Sequence, residues 1–195
     1  MTIGLTGSFA TGKTTVAGIF RRMGARVIDA DALAHDALKP GAAAYRKTVK
    51  IFGKGILNSR GRIDRKKLAG IVFKNRRSLK KLCAAVHPYV IDRIRFMLKC
   101  PARDRITVID APLLIEARLE RMIDVLVVVS ATRKNQIRRG GEKFRMTAGE
   151  VRERIDAQMP LKEKVARADF VIYNNGDLKK TRKQVEDVWR QILWT

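Results

Sequence analysis

Met1-Thr2-Ile3-Gly4-Leu5-Thr6-Gly7-Ser8-Phe9-Ala10-Thr11-Gly12-Lys13-Thr14-Thr15 is the stretch that decides the fold. Residues 1–6 read as a short buried strand. Gly7 to Thr14 spell G-x-x-x-x-G-K-[ST], the phosphate-binding loop pattern. Val16, Ile19, Phe20 and Met23 then recur at helical spacing. Strand, glycine-rich loop and helix follow one another without a gap, which is the context the pattern requires.

The loop chemistry follows from the residue types. Gly7 and Gly12 let the backbone approach an anion with no Cβ in the way. Successive N–H groups then point into one concavity, and the helix beginning near Lys13 adds its positive end. Gly7, Ala10, Thr11, Gly12, Lys13, Thr14 and Thr15 are therefore expected to hold a nucleoside triphosphate. Ser8, Phe9, Ala10 and Thr11 contribute mainly backbone. Lys13 is expected to reach the β- and γ-phosphates and the Thr14 hydroxyl to ligate Mg²⁺. The Phe9 side chain is expected to turn inward.

Outward from the loop, strands alternate with helices. Residues 26–29 read as a second strand closed by Asp29-Ala30-Asp31, and 105–110 return to strand character. Residues 124–129 read as the strongest strand, and the continuous apolar run that follows Asp124 is that of a parallel sheet buried on both faces. Residues 170–173 make the last strand. Between residues 32 and 100 only helical patterns appear: 32–38, 42–52, 65–73 with Asp64 as N-cap, and 78–85 and 88–98 as two helices parted at His87-Pro88. Thr132 is expected to cap a helix through Arg139 that Gly140-Gly141 interrupts. Thr147-x-x-Glu150 spells a capping box. Asp177 is expected to cap a final helix with an apolar stripe at 178, 185, 188, 189 and 192, and Trp189 and Trp194 to serve packing. This order argues an α/β doubly wound sheet. Ligands in such sheets sit beyond the carboxyl ends of the strands, where the loop, Asp31 and Asp110 should gather.

Composition narrows the class. The 195 residues are 46% hydrophobic, enough for a sizeable core, and contain no run of eighteen apolar residues, so no membrane span is expected. With a strand read from residue 2, no signal peptide is expected, and Cys83 and Cys100 suggest no disulfide framework. Both cysteines are expected to be buried or half-buried, and the protein cytoplasmic. The formal net charge is +23, and residues 46–81 hold fourteen Lys/Arg against the single acid Asp64. A polyanionic substrate, nucleic acid or a merely solvated basic surface would each account for it. No N-K-x-D motif for guanine recognition occurs, which counts against a regulatory GTPase.

A triphosphate cradle becomes a phosphotransferase only with an acceptor-orienting group and a cover. Asp31, just past a strand end, is the candidate to orient the acceptor hydroxyl. Residues 133–145 supply Arg133, Lys134, Arg138, Arg139, Lys143 and Arg145 for a basic flap over the phosphates. With these, Asp29-Ala30-Asp31, His87-Pro88, Pro112-Leu113-Leu114 with Glu116, Gln136 with Arg139, Gln158 and Asp169-x-Val171-Ile172-x-Asn174-Asn175-Gly176 make the chain resemble the dephospho-coenzyme A kinase family, from residue 2 to about 177.

The resemblance implies transfer of phosphate from ATP, with Mg²⁺, to the ribose 3′-hydroxyl of dephospho-coenzyme A. Another P-loop nucleoside or nucleotide kinase is the alternative. It implies a P-loop kinase with a parallel five-stranded sheet flanked by helices: a nucleotide-binding core of 1–31, 102–130 and 168–195, a helical substrate-binding insertion of 32–101, and a lid of 131–167. Asp31, Lys13 and Arg139 would be catalytic, and Asp31 and His87 would bind the acceptor. A monomer is expected, with no nucleic acid or membrane partner. The chain departs from the family's usual G-G-I-x-S-G-K-[ST] at Ser8, Phe9 and Thr11, and Lys143 stands where a second lid arginine is expected. Asp110 and Glu116 are weaker metal candidates, with structural pairing ahead for Glu116.

Overall fold

Five strands pair in parallel throughout: β1 (Thr2–Gly7), β2 (Arg26–Asp29), β3 (Thr107–Asp110), β4 (Val125–Ser130) and β5 (Phe170–Tyr173), in the order β2-β3-β1-β4-β5. The structure is a computed structural model that describes residues 1–100 and 106–194. The expected strand start at Arg105, the expected boundary at 101/102 and Thr195 lie outside the described residues. Chain contacts divide the protein into two compact units, Met1–Asp29 with Pro101–Thr195, and Ala30–Cys100.

In the first unit, β1 lies at the centre because its residues are small or apolar on both faces. Ile3 and Leu5 join Val108, Val127, Val129 and Ile172 on one face. Two helices, α1 (Lys13–Arg22) and α9 (Leu178–Leu193), cover that face with Val16, Ile19, Phe20, Val185, Val188 and Ile192, and Phe20 meets the Trp189 ring at 6.0 Å. On the other face a Cβ at Gly4 would stand 2.6 Å from Ile123 Cδ1 and 2.8 Å from Leu114 Cδ1. Gly4 therefore lets the segment after β3 lie directly on the sheet. Burial of this kind stabilises by roughly 1.5–3 kcal/mol per large apolar side chain.

The second unit contains α2 (Ala30–Ala37), α3 (Ala43–Phe52), α4 (Arg65–Val72) and α5 (Arg76–Lys99). The longest, α5, packs against the other three. Ile56, Leu68 and Val72 form a small core with Phe52, Leu57, Ile63, Phe73, Leu79 and Leu82. Leu57 and Ile63 make one antiparallel bridge. All fourteen Lys/Arg side chains of residues 46–81 are exposed. Asp64, the one acid among them, spends its carboxylate on the Lys66 and Lys67 amides at 2.9 and 3.2 Å.

Several elements differ from the sequence expectation. Residues 76–99 form one helix capped by Asn75, not two parted at His87-Pro88. Pro88 removes one N–H, but Ala85 and Val86 before it and Val90 and Ile94 after it are all buried, and this shared face outweighs the lost bond. Likewise α6 (Arg133–Phe144) runs through Gly140-Gly141. A Cβ at Gly140 would approach Val151 Cγ2 to 2.5 Å, so the glycine is there for helix contact rather than to end the helix. The capping box opens α7 (Ala148–Asp156) as its spelling predicts, and Pro160 precedes α8 (Leu161–Val165). Leu178 is 60% and Trp194 89% exposed, so neither packs as expected. Cys83 and Cys100 are both half-buried, as expected.

The Asp64 carboxylate replaces water for two otherwise orphaned amides, so Asp64→Ala is expected to lower unfolding free energy by about 1 kcal/mol in urea denaturation.

Candidate active site

The carboxyl edge of the sheet collects the loop and two carboxylates. Leu5 pairs in register with Asp110, and Asp29 with Asp110 from the other side. The loop leaves β1 at Gly7, where a Cβ would stand 2.6 Å from the Val129 carbonyl oxygen and 2.7 Å from Thr11 Oγ1. Ala10 and Gly12 both adopt positive φ, 59° and 91°. Thr11 folds the loop back, its amide and hydroxyl donating to the Ser8 carbonyl at 3.3 and 3.0 Å. Its own side chain is buried in doing so.

Gly12 begins α1 without a side-chain cap, and no acid lies in the first turn. By contrast, Asp64, Asn75, Thr132, Thr147 and Asp177 cap α4, α5, α6, α7 and α9. Thr14 and Thr15 are exposed at the start of α1. An uncapped helix start beside a glycine loop favours an anion through its N–H groups and its dipole.

Lys13 forms an ion pair with Asp110. Burial pushes the Asp110 carboxyl above its usual range, with Asp29 adding to the effect, while Lys13 opposes it. The lysine thus stands at the loop with a carboxylate partner at the end of β3, where hard oxygen donors are also suited to a magnesium ion.

The outer side of the loop is held from across the unit. Asn174, just past β5, donates from Nδ2 to the Thr11 carbonyl at 2.8 Å, and the Thr181 hydroxyl donates to Asn174 Oδ1 at 2.9 Å. Arg139 on α6 donates to the same Thr11 carbonyl at 3.2 Å and to the Asn174 carbonyl at 2.9 Å. Burial foremost, and Arg138 beside it, lower the Arg139 pKa. Phe9 is half-buried and faces α6 and α7 rather than turning into the core: its ring lies 5.1 Å from that of Phe144.

Beneath this edge lies a lysine that sequence reasoning passed over. Lys164 of α8 is fully buried, donating to the Pro112 carbonyl at 2.6 Å and pairing with Glu116 at 3.0 Å. Glu116 also accepts from the Met159 amide at 3.0 Å, so it is a structural partner. Burial lowers the Lys164 pKa, and Glu116 offsets part of that. Nothing in the spacing of Lys164 marks it; only burial does.

The structure brings Gly7, Ala10, Thr11, Gly12, Lys13, Thr14, Thr15 and Arg139 together within the first unit. Asp31 and His87 belong to the second, Asp31 in the first turn of α2 and half-buried His87 in α5, two helices that pack together. Of the basic stretch, Lys143 lies over the neighbouring Phe144 ring and Arg133 and Arg138 pair with Asp156 and Glu142. Among the described residues no cluster of three or more His, Cys, Asp or Glu is placed to hold a metal. No helix among them is long and apolar enough to cross a membrane.

A parallel sheet whose central strand feeds a phosphate loop, with an arginine-bearing helix docked on that loop, is the architecture of a P-loop kinase. The chain belongs to the dephospho-CoA kinase family: the family model described as "CoaE: Dephospho-CoA kinase" matches residues 1–180. It is 45% identical over 193 residues to the dephospho-CoA kinase of Geobacillus kaustophilus, covering 98% of this chain and 96% of that one. The solved structure titled TT1252 from Thermus thermophilus matches with a TM-score of 0.81 at 32% identity, covering 98% and 97% of the two chains. That of dephospho-CoA kinase from Campylobacter jejuni matches at 0.68 and 27%, covering 98% and 96%.

The buried Lys164 yields a pH signature. Its folded pKa is lowered from 10.5, so near that value the unfolded chain holds more protons than the folded one. Stability of the parent relative to Lys164→Gln should therefore rise as pH climbs towards 10.5 and be flat well below the folded pKa, as read by urea midpoints across that range.

Proposed function

We infer that this chain transfers the γ-phosphoryl group of ATP to the ribose 3′-hydroxyl of dephospho-coenzyme A, giving coenzyme A and ADP, the last step of coenzyme A biosynthesis. The observation that carries this reading is the family match over residues 1–180. In this reading residues 1–31, 102–130 and 168–195 bind nucleotide, 32–101 bind the acceptor, and 131–167 cover the phosphates.

The roles follow from the chemistry each position offers. Backbone N–H groups of Gly7 to Thr14 cradle the β- and γ-phosphate oxygens, with Ala10, Thr11, Gly12 and Thr15 shaping the cradle. Lys13 exchanges its Asp110 partner for phosphate oxygens. The Asp31 carboxylate accepts the proton of the 3′-hydroxyl as its oxygen bonds to the γ-phosphorus and the bond from that phosphorus to the β,γ-bridging oxygen breaks. His87 contacts the acceptor. Arg139 supplies a planar, permanently charged donor to the transferred group. The donor set fits Mg²⁺: the exposed Thr14 hydroxyl and the Asp110 carboxylate are hard oxygen ligands, and this ion takes few from protein. When bound, it would neutralise charge on the β,γ-oxygens. A cytoplasmic monomer without nucleic acid as partner completes the proposal.

The direct test is incubation of purified protein with ATP and dephospho-coenzyme A, with coenzyme A followed by mass spectrometry. Faster phosphorylation of a nucleoside monophosphate would overturn the acceptor assignment. Asp31→Asn is expected to cut turnover severely with ATP affinity little changed; near-normal turnover would remove Asp31 from the hydroxyl. Arg139→Ala is expected to cost about 2–4 kcal/mol of transition-state stabilisation, read as kcat/KM, by comparison with the loss of other single preorganised donors.

A further inference from the structure

Phe9 is held by the α6–α7 segment through every part of the residue. Its carbonyl accepts from Gln136 Nε2 of α6 at 2.6 Å. Its amide donates to Gln158 Oε1, just beyond α7, at 2.9 Å. Its ring lies 5.1 Å from the Phe144 ring, and the Arg154 guanidinium of α7 sits over it at 5.1 Å from the centroid. Gly140 completes the slot. A Cβ there would stand 3.4 Å from Phe9 Cε1, besides crowding Val151.

These contacts come from both helices and meet on one loop residue. Gln136 is buried and Arg154 half-buried, so the grip lies largely out of water, where hydrogen bonds and cation–π contact count for most. The residue immediately after Phe9 is Ala10, one of three non-glycine residues at positive φ among the described residues. Such a backbone persists where its surroundings over-determine it. The loop's shape is thus maintained partly from outside, by the segment read as the lid.

We propose that Phe9 is a positioning residue that couples the α6–α7 segment to the phosphate loop, so that docking of that segment and the loop's phosphate-binding shape are a single event. The inference rests on the reading of residues 131–167 as a cover over the nucleotide. Phe9 itself need touch no substrate. Its backbone is clamped by two glutamines and its ring is contacted by an aromatic and a guanidinium, so nucleotide bound in the loop stabilises α6 and α7. Conversely, their departure releases the loop at Phe9 and Ala10.

Hydrogen exchange measured by mass spectrometry on the full chain, with and without ADP and a non-hydrolysable ATP analogue, tests this. In the parent, nucleotide is expected to slow exchange in residues 7–14 and 133–156 together. In Phe9→Ala, at saturating nucleotide, residues 133–156 return to the nucleotide-free rate and the protection of residues 7–14 is reduced, because coupling between the two is reciprocal. Turnover then falls by roughly ten-fold or more, within the range that misplacement of reacting groups produces, and ADP affinity falls with it, as reciprocal coupling requires. Phe9→Tyr, which keeps the ring, should restore both. If Phe9→Ala fails to fold, Arg154→Met and Gln158→Ala break the grip from the other side and should decouple the segments in the same way. Nucleotide protection that never reaches 133–156 in the parent, or that persists there in the variants, overturns the proposal. Exchange requires nucleotide alone, so a failure of the dephospho-coenzyme A assignment would show separately, as absent acceptor turnover with the coupling intact.

Discussion

The Thr11 carbonyl accepts from Asn174 Nδ2 and from Arg139, and this shared acceptor fixes the rest of the site. Thr11 lies in the loop, Asn174 just past the last strand and Arg139 in the middle of α6. Three segments far apart in the chain therefore meet on one oxygen. A carbonyl with two lone pairs can take both donors, and the Thr181 hydroxyl holds the Asn174 amide from behind. Gly12 makes this approach possible, because a Cβ there would collide with the Asn174 amide nitrogen. The second glycine of the motif thus serves the loop's outer packing as well as its inner concavity.

Charge in the first unit is arranged in two pairs, each joining a buried group to a half-buried one. Lys13 with Asp110 and Lys164 with Glu116 lie within one unit, close enough for the two lysines to oppose each other's charge. Buried ion pairs add little stability by themselves, since desolvation consumes most of the attraction. Their consequence is positional. Lys164 ties the Pro112 carbonyl and Glu116 to α8, and Pro112 also accepts from the Thr6 hydroxyl on β1. The segment after β3 is thereby fastened to the strand that carries the loop.

Much of the fold was legible because its signals are local. The loop pattern needs only glycines at fixed spacing before a lysine. The run at 125–129 is apolar because both sheet faces are covered, and Asp64, Thr147 and Asp177 cap helices through bonds two or three residues long. The misreadings share one cause. Pro88 and Gly140-Gly141 break helices when judged locally, yet α5 and α6 continue because each presents a face that other segments bury. Trp194 is a large apolar residue, but as the C-cap of α9 it is left exposed. The cluster of cations at 46–81 was equally plain in sequence, and the fold leaves all of it exposed.

By itself the sequence determined a triphosphate-binding loop on the first strand of an α/β sheet, a helical insertion after the second strand, and a family resemblance carried by short motifs in order. These are matters of periodicity, backbone permissiveness and charge over a few residues. Tertiary structure alone decided which side chains hold the loop. That Asn174, Gln136, Gln158 and Arg139 converge on Phe9 and Thr11 depends on strand order β2-β3-β1-β4-β5, which sets β4 and β5 and the helices between them beside the loop. Lys164 is the clearest case: in sequence it is one of 42 lysines and arginines, and only its burial against Glu116 and Pro112 distinguishes it.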